Sequence, residues 1–324
     1  MRCLITGVAG FVGSHLSERL LADGHEVVGL DAFTDYYARE QKERNLEGSR
    51  AWNDFSFIEG DILQLNLPAL LDGVDWIFHQ AAQAGVRASW GCNFSRYVDC
   101  NVLATQRLLE AALEQGSIQR FVYASSSSVY GDTDALPVSE SSLLRPNSPY
   151  GVTKLAAENL CTLYHLNFGL PTVSLRYFTV YGPRQRPDMA FHRFCRAIIE
   201  RKPIVIYGDG QQTRDFTYVA DVVEANIRAA TSRTAVGEVM NIAGGSRVNL
   251  HQVMQYLRDI SDAPISVTFD ERQHGDVGHT FADTTRAQQH LAYRPRVSLR
   301  EGLAREYEYV LSESTKRAAT HSAS

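Results

Sequence analysis

The chain has 324 residues, enough for one large α/β unit or for two units that share a core. Apolar residues make up 44% and charged residues 21%, which is typical of globular proteins, and the net charge of -5 offers no basic stripe for nucleic acid. No run reaches the roughly 18 apolar residues of a membrane-spanning helix, and scattered cysteines without a Cys-x-x-Cys pair indicate reduced thiols. We expect a cytoplasmic protein with neither a disulfide framework nor a zinc site.

Short apolar runs alternate with amphipathic segments through the first half of the chain. Runs bounded by Gly, Asp or Ser predict strands buried on both faces, over 3–6, 26–30, 55–58, 76–79, 121–125 and 172–176. Apolar residues spaced by three and four predict helices over 14–22, 102–114 and 154–168. This alternation predicts an α/β fold with a doubly wound parallel sheet of the Rossmann type.

Beyond about residue 180 the chain is punctuated by Pro and Gly, as in 181–189 and 207–216, which is typical of loops that shape a site. We therefore predict a cofactor-binding domain at 1–178 with a return segment at about 215–243, and a smaller mixed domain at 179–312 that binds substrate. The small polar residues of 313–324 predict a disordered tail.

Glycines recur at a spacing of three in GVAGFVG (7–13), directly after the first predicted strand. Glycine lets the backbone turn tightly and approach a pyrophosphate, whose charge is stabilised by unpaired amides at a helix N-terminus. The residues expected to contact it are Gly7, Gly10, Phe11, Val12 and Gly13. A tight turn without a ligand would also fit this motif alone.

Asp31 ends the second predicted strand, where a carboxylate would accept hydrogen bonds from an adenosine ribose and repel a 2′-phosphate. It therefore favours NAD over NADP as the cofactor, with a solvated strand-end aspartate as the alternative. Asp61 and Ile62 follow the third strand at the same edge of the sheet, and we expect them to border the adenine.

Tyr150 and Lys154 are one helical turn apart at the start of the third predicted helix. A phenol, whose pKa is ordinarily about 10, acts as a base near neutral pH only if its anion is stabilised by roughly 4 kcal/mol. An ammonium about 4 Å away supplies about that much. The pair therefore predicts a proton-transfer site, and a solvated surface pair is the alternative.

Four segments resemble the extended short-chain dehydrogenases/reductases, specifically the nucleotide-sugar epimerases and dehydratases: TGVAGFVG (6–13), ASSSSVYG (124–131), YGVTK (150–154) and RYFTVYGP (176–183). The resemblance extends to about residue 310. It implies a bound NAD, a nucleoside-diphosphate sugar substrate and a homodimer. It also implies that Tyr150 is the base, Lys154 its modulator and Ser126 the hydroxyl that links Tyr150 to the sugar O4. The residues that it places beside the nicotinamide are Ala81, Ala82, Gln83 and Asn101.

The hydroxyl run at 125–128 indicates which reaction follows. Dehydratases of this family carry an Asp-Glu pair at the positions of Ser127 and Ser128, and sugar-acid decarboxylases carry Glu at the second. Because both are serines here, no carboxylate is available to remove a C5 proton. We therefore expect 4-epimerisation through a 4-keto sugar. The alternative is that the two hydroxyls only satisfy backbone groups at the strand end.

Thr179 and the segment AAQAGVR (81–87) resemble UDP-glucuronate 4-epimerases. In that case Ser127, Ser128 and Thr179 would bind the sugar carboxylate and restrain loss of CO2 from the 4-keto acid. The same resemblance implies UDP-sugar contacts for Arg87, Arg186, Tyr207, Arg214 and Asp276. It implies that Tyr207 stacks on uracil and that Asp276 binds the uridine ribose.

The sequence departs from the glucuronate epimerases at Arg184-Gln185, where these carry Trp-Gly, and from many relatives at Ala32, where they carry Asn. These departures leave the sugar open. UDP-glucose or UDP-N-acetylglucosamine would use the same mechanism, a decarboxylase would release a UDP-pentose, and a sensor would bind the cofactor without catalysis.

Overall fold

This computed structural model describes residues 1–322, with side chains described as far as Lys316. The strands are β1 (Arg2–Thr6), β2 (Glu26–Asp31), β3 (Phe55–Glu59), β4 (Trp76–His79), β5 (Arg120–Ser126), β6 (Thr172–Tyr177), β7 (Val180–Tyr181), β8 (Ile204–Tyr207), β9 (Thr213–Asp215), β10 (Thr217–Tyr218), β11 (Val239–Ile242), β12 (Arg247–Asn249) and β13 (Val267–Asp270). The helices are α1 (Phe11–Ala22), α2 (Arg39–Arg50), α3 (Leu67–Leu70), α4 (Phe94–Tyr97), α5 (Ala104–Gln115), α6 (Pro149–Phe168), α7 (Ala190–Ile199), α8 (Val219–Thr231), α9 (Leu250–Ser261), α10 (Thr285–Leu291) and α11 (Leu299–Ser322). Within this part of the chain, no helix is both long and apolar enough to cross a membrane.

The main sheet has the strand order β11-β6-β5-β4-β1-β2-β3, and each pair of neighbours is parallel. The chain adds strands outward from β1 in one direction and then, from β4 onward, in the other. This reversal separates the loops that follow β1 and β4 and opens a crevice at their carboxyl ends. The predicted doubly wound parallel sheet is confirmed.

Both faces of the sheet are covered, which explains why most residues of β1, β2, β4, β5 and β6 are buried. Leu16 of α1 and Val222 of α8 belong to the core on one face, and Leu108 of α5 and Cys161 of α6 belong to the core on the other. Helix α6 begins at Pro149, ahead of the helical apolar spacing at 154–168 and at the segment expected to open the helix, because Ser148 caps it, accepting the Gly151 N–H at 3.1 Å.

The chain after β6 builds a third core around Phe191 of α7, Val253 of α9 and Leu303 of α11. Small two-stranded sheets, β8 with β13 and β9 with β12, border this core. Strand β11 lies inside the segment predicted to return to the cofactor-binding domain, and it pairs with β6 at the edge of the main sheet.

The final helix differs from the predicted disordered tail. Helix α11 continues to Ser322, so most of 313–324 is helical, and residues 323–324 lie outside the described residues. Contacts with other helices account for the difference. Val310 is buried in the third core, and the Glu313 carboxylate pairs with the Arg44 guanidinium of α2 at 3.0 Å.

Candidate active site

A cavity of about 450 Å³ opens where the sheet order reverses. Its wall is formed by the loops that follow β1, β2, β3, β4 and β5, together with the first turns of α6 and the segment after β6. This volume is in the range of small-molecule sites, and the position is where open α/β sheets bind ligands.

The turn between β1 and α1 has the geometry of a phosphate-binding loop. Gly7 has a φ of +71°, which only glycine adopts readily, and its N–H donates to the Leu30 carbonyl at 2.7 Å. A Cβ on Gly13 would lie 2.2 Å from the Gly7 carbonyl oxygen, so α1 can pack this closely only with glycine there. Gly10 precedes α1 without a side-chain cap, which leaves the first amides of the helix, at Phe11 and Val12, for a ligand in the cavity.

The far end of the cavity combines a carboxylate with an ammonium. Asp31 accepts the N–H groups of Ala9 and Phe33 at 3.1 and 2.9 Å, and burial raises its pKa although these bonds oppose the rise. The Lys42 ammonium donates to the Thr34 carbonyl at 2.6 Å, and burial lowers its pKa although the Asp31 charge opposes the fall. This end therefore offers both an acceptor and a donor to a ribose diol.

Asp61 and Ile62 also line this end of the cavity, beside Asp31. The Asp61 carboxylate accepts the Leu63 N–H at 2.9 Å, which fixes the loop after β3, and Ile62 is buried among the apolar residues of one core. The pair thus supplies an apolar surface next to a carboxylate, as a purine site requires.

Ala81, Ala82 and Gln83 line the cavity after β4, but Asn101 does not. Asn101 lies behind this loop in a π-helical turn (Val98–Leu103) and is 1% exposed. Its amide accepts the Gln83 N–H at 2.8 Å and donates to the Thr153 hydroxyl at 2.9 Å. Asn101 therefore connects the Gln83 loop to α6, whereas the sequence predicted that it lines the nicotinamide site.

Tyr150 and Lys154 both line the cavity from the first turns of α6. The Lys154 ammonium donates to the Ala124 carbonyl at 2.8 Å, and burial lowers its pKa from 10.5 to about 7. Burial raises the pKa of Tyr150, and a hydrogen bond with Ser126 and the charge of Arg186 oppose this rise. The Lys154 ammonium is thus bonded to the β5 backbone in this structure, and its role as the modulator of Tyr150 stays a prediction.

The hydroxyl run lies directly opposite this pair. The Ser126 hydroxyl accepts the Ser128 N–H at 3.1 Å and so caps the short turn after β5. The hydroxyls of Ser127, Ser128 and Thr179 line the cavity and have no hydrogen-bond partner among the residues that the structure describes. They are therefore free to bind a ligand, which disfavours the alternative that Ser127 and Ser128 only satisfy the strand end.

The carboxylates on the cavity wall lie at the ends of β2 and β3. Among the described lining residues, they belong to Asp31 and Asp61. Near Tyr150 the charged group is the Arg186 guanidinium, which pairs with Asp188 through two bonds of 3.0 Å, while the Tyr36 hydroxyl donates to Asp188 at 3.3 Å. The end of the cavity at the hydroxyl run is therefore polar, and its Arg186 guanidinium is paired with Asp188, which is not among the described lining residues.

A second cluster lies next to the cavity. The Arg87 guanidinium donates to the Asp276 carboxylate at 2.7 Å and lies 4.3 Å from the centroid of the Tyr207 ring. Arg193 approaches the same ring at 5.4 Å and donates to the Tyr207 hydroxyl at 3.4 Å. In this structure Tyr207 therefore packs with Arg87 and Arg193, at the ring predicted to stack on uracil.

Arg214 completes the second cluster and organises its backbone. Its guanidinium donates to the carbonyls of Thr213, Gly278 and Val277 at 2.9, 3.1 and 2.8 Å, and burial lowers its pKa. These bonds use three of the five N–H donors of an arginine. Neither Arg214 nor the other members of the cluster line the cavity, but Val86 lines it and packs against Gly275 of the cluster's loop.

The comparison with protein families decides the assignment of this site. The sequence model of the NAD dependent epimerase/dehydratase family matches residues 3–243. The chain belongs to this family. Its Gly-rich turn, its Tyr150/Lys154 pair and the crevice between them are the parts that the sequence resemblance predicted, and the predicted family is confirmed.

Individual family members are similar over almost the whole chain. The UDP-glucuronic acid 4-epimerase from Bacillus cereus, in a crystal structure with UDP-glucuronic acid and NAD, is 44% identical with a TM-score of 0.94, over 97% of this chain and 100% of that one. The uncharacterized UDP-glucose epimerase YtcB from Bacillus subtilis is 47% identical over 96% of this chain and 98% of its own. The UDP-glucuronate 4-epimerase from Thermodesulfobacterium geofontis is 37% identical over 93% of this chain and 94% of its own.

Two basic residues that the structure places beside predicted site residues, Lys42 and Arg193, escaped the sequence reasoning. Lys42 lies in the charged segment REQKERNLEGSR, which looks like a solvated helix, and only the fold buries its ammonium beside Asp31. Arg193 lies on α7 among alternating apolar and basic residues without a motif of its own. The scarcity of lysine, four among 32 basic residues, is the signal that could have singled out Lys42.

Proposed function

We propose that this protein is an NAD-dependent UDP-glucuronate 4-epimerase, an isomerase that interconverts UDP-glucuronate and UDP-galacturonate. The observation that carries the proposal is the composition of the cavity around Tyr150. Ser127, Ser128 and Thr179, whose hydroxyls have no partner among the described residues, line the same cavity as Tyr150 and Arg186. The described carboxylates on the cavity wall are Asp31 and Asp61, which belong to the ends of β2 and β3. Relatives that bear this activity in their names are similar over more than nine tenths of the chain.

The residues that would hold NAD fit its chemistry. The open amides of Phe11 and Val12 suit the pyrophosphate, Asp31 and Lys42 suit the adenosine ribose, and Gln83 lies beside the nicotinamide position that the family resemblance implies. When bound, NAD supplies the acceptor for the C4 hydride and then its donor. The protein's own task is to move one proton and to control the sugar.

Tyr150 is the group that takes the O4 proton and later returns it. Its phenolate is favoured by the Ser126 hydrogen bond and the Arg186 charge, against the burial that raises its pKa. Lys154 adds a second cation when protonated, since its pKa of about 7 leaves much of it charged near neutral pH. General-base catalysis by such a phenol contributes a factor of about 10² to 10⁴ in rate.

The free hydroxyls explain how the intermediate keeps its carboxylate. Oxidation at C4 converts glucuronate into a β-keto acid, which loses CO2 when its carboxylate rotates out of the carbonyl plane. Donors from Ser127, Ser128 and Thr179 can hold that carboxylate, and each hydrogen bond to a charged group contributes about 1.5 to 3 kcal/mol. Because the described lining residues offer no carboxylate at this end, proton removal from C5 has no carboxylate base there.

The second cluster is the proposed anchor for UDP. Inversion at C4 requires the 4-keto sugar to turn over while the nucleotide stays bound. Arg87 and Arg214 are suited to the diphosphate, and Asp276 is suited to the ribose. Arg193 places a second guanidinium, besides that of Arg87, against the Tyr207 ring. Arg87 must then exchange its contacts with Asp276 and Tyr207 for contacts with the ligand.

We further propose a homodimer in the cytoplasm and a division of the chain into domains at 1–178 and 179–312. The dimer proposal is supported by apolar side chains that helices α5 and α6, and the turn before α5, leave exposed: Leu103, Val152, Leu163 and Leu166. Exposed apolar patches of this kind are typical of subunit interfaces. Sedimentation equilibrium of the parent and of a Leu163→Asp variant tests it, since only a dimer through this face would be dissociated by the charge.

The epimerase proposal is tested by NMR of UDP-glucuronate incubated with the purified protein without added NAD. We expect UDP-galacturonate to appear, at a rate independent of added cofactor if NAD is retained. UDP-glucose is assayed in competition, because the Bacillus subtilis relative is named as an epimerase of that neutral sugar. Turnover of UDP-glucose alone would replace the proposed substrate, and a UDP-pentose product would establish a decarboxylase instead.

A further inference from the structure

One hydroxyl of the run at 125–128 has a different environment from the others. The Ser125 side chain is 3% exposed and its hydroxyl donates to the Glu158 carboxylate at 2.6 Å. Successive side chains of a strand point to opposite faces of the sheet, so Ser125 and Ser126 are directed apart. Ser125 lines the cavity, but its hydroxyl is engaged with the buried Glu158, while Ser126 hydrogen-bonds Tyr150.

Glu158 is a buried carboxylate that the proposed reaction does not use. It lies on α6 one turn after Lys154, and its side chain is 2% exposed. The Arg176 guanidinium of β6 holds it through two bonds, from Nη2 to Oε1 at 2.6 Å and from Nε to Oε2 at 3.0 Å. Ser125 and Arg176 are neighbours in the register of β5 and β6, so the three residues connect both strand ends to α6.

The connection continues through the edge of the sheet. Arg176 donates from Nη1 to the Tyr130 hydroxyl at 2.8 Å, and Tyr130 donates to the Asn241 amide oxygen of β11 at 2.7 Å. Each partner is buried, so every bond in the chain is needed to satisfy a polar group in the interior. Such a network specifies one arrangement of the elements that it joins, because a shifted helix would leave a buried charge unpaired.

We propose that Ser125, Glu158 and Arg176 are positioning residues that fix α6 against the carboxyl ends of β5 and β6. The network holds the helix where Lys154 reaches the Ala124 carbonyl and Tyr150 faces Ser126. Three hydroxyls of the run are thereby left for the sugar, and the fourth aligns the base. This inference rests on the proposed epimerase function for its kinetic part only.

The test compares the deletion of two hydroxyls that each join the sheet to α6. Ser125→Ala removes the bond to Glu158. Thr172→Val removes the bond from the Thr172 hydroxyl to the Cys161 carbonyl, 3.0 Å long, in the second half of the same helix and away from Tyr150. We expect Ser125→Ala to lower kcat about tenfold at unchanged KM and unchanged NAD content. A misplacement of about 1 Å costs about 100-fold, and the bidentate Arg176–Glu158 pair that remains limits the shift to less than that. We expect Thr172→Val to leave kcat within twofold of the parent.

Hydrogen exchange of the same proteins, followed by mass spectrometry, is independent of the substrate. We expect faster exchange in the first turns of α6 in Ser125→Ala and not in Thr172→Val. Unchanged exchange there, or a rise in KM without a fall in kcat, would overturn the inference, because Ser125 would then be a ligand contact or inert. A parent protein that does not epimerise UDP-glucuronate, with the expected exchange pattern, would refute the proposed function and leave the positioning network standing.

Discussion

Replacing Lys154 by methionine is expected to stabilise the NAD-free protein while removing its activity. The Lys154 ammonium is buried, and the hydrogen-bond acceptor that holds it is the neutral carbonyl of Ala124. Burial lowers the pKa of this group from 10.5 to about 7, which means that the charged form of Lys154 is destabilised in the folded protein. Methionine has a similar length and no charge to bury.

The expected gain in stability follows from the depressed pKa of Lys154. A fall from 10.5 to about 7 corresponds to about 5 kcal/mol of unfolding free energy lost at neutral pH or below. Loss of the hydrogen bond to Ala124 offsets about 1 to 2 kcal/mol of this. Lys154→Met should therefore raise the free energy of unfolding by about 3 kcal/mol at pH 7.

The gain should depend on pH with a definite sign. Between pH 7 and pH 10.5 the unfolded lysine binds a proton that the folded lysine has released, so the stability of the parent rises with pH in this window. Methionine has no such dependence. The difference between variant and parent should therefore narrow by about 3 kcal/mol from pH 7 to about pH 9.5.

Urea unfolding of NAD-stripped protein at these two pH values measures the difference. Lys202→Met is the control, because the Lys202 side chain is 69% exposed and pairs with Glu200 on the surface. It should change the unfolding free energy little at either pH. If the difference in unfolding free energy between Lys154→Met and the parent stays constant with pH, the folded lysine does not lose its proton in this window. That result would refute the reasoning from burial.

Three further substitutions test the other parts of the site. Tyr150→Phe should lower kcat at least 100-fold with NAD still bound, because the proton acceptor is lost. Thr179→Asn should raise KM for UDP-glucuronate several-fold relative to UDP-glucose, because a carboxylate donor is replaced by a bulkier amide. Gly13→Ala places a methyl 2.2 Å from the Gly7 carbonyl oxygen, so α1 must shift, with a loss of bound NAD and about 1 to 3 kcal/mol of stability.

Turnover by Tyr150→Phe is measured by NMR of the product, and the KM values of Thr179→Asn are measured by competition kinetics. For Gly13→Ala, bound NAD is quantified and stability is measured by thermal melting. Gly24→Ala is the control for the last, since its methyl would meet no heavy atom within 4 Å and only its backbone, with a φ of +81°, is strained. Undiminished turnover by Tyr150→Phe would remove the phenol from the mechanism. Equal KM changes for both sugars would show that Thr179 does not bind the carboxylate. Full NAD content in Gly13→Ala would show that NAD binding does not require the close packing of α1.

Local sequence signals were sufficient to predict the parts of the site that depend on contacts between residues close together in the chain. The Gly7 turn, the Asp31 strand end and the Tyr150/Lys154 spacing each lie within one loop or one helical turn, where φ, helix periodicity and strand burial are fixed by neighbouring residues. Parallel strands then bring these loops to one edge of the sheet, so the sequence alone determined the fold class and which end of the sheet carries the site.

Contacts between segments distant in sequence could not be read in this way. Whether Asn101 lines the cavity or holds the loop behind it, and whether Lys154 faces Tyr150 or the Ala124 carbonyl, depends on packing distances of an ångström or two. The burial of Lys42 beside Asp31 is of the same kind. Side-chain roles in a crowded cavity are decided by which partner lies within hydrogen-bond distance, and only the tertiary structure sets that distance.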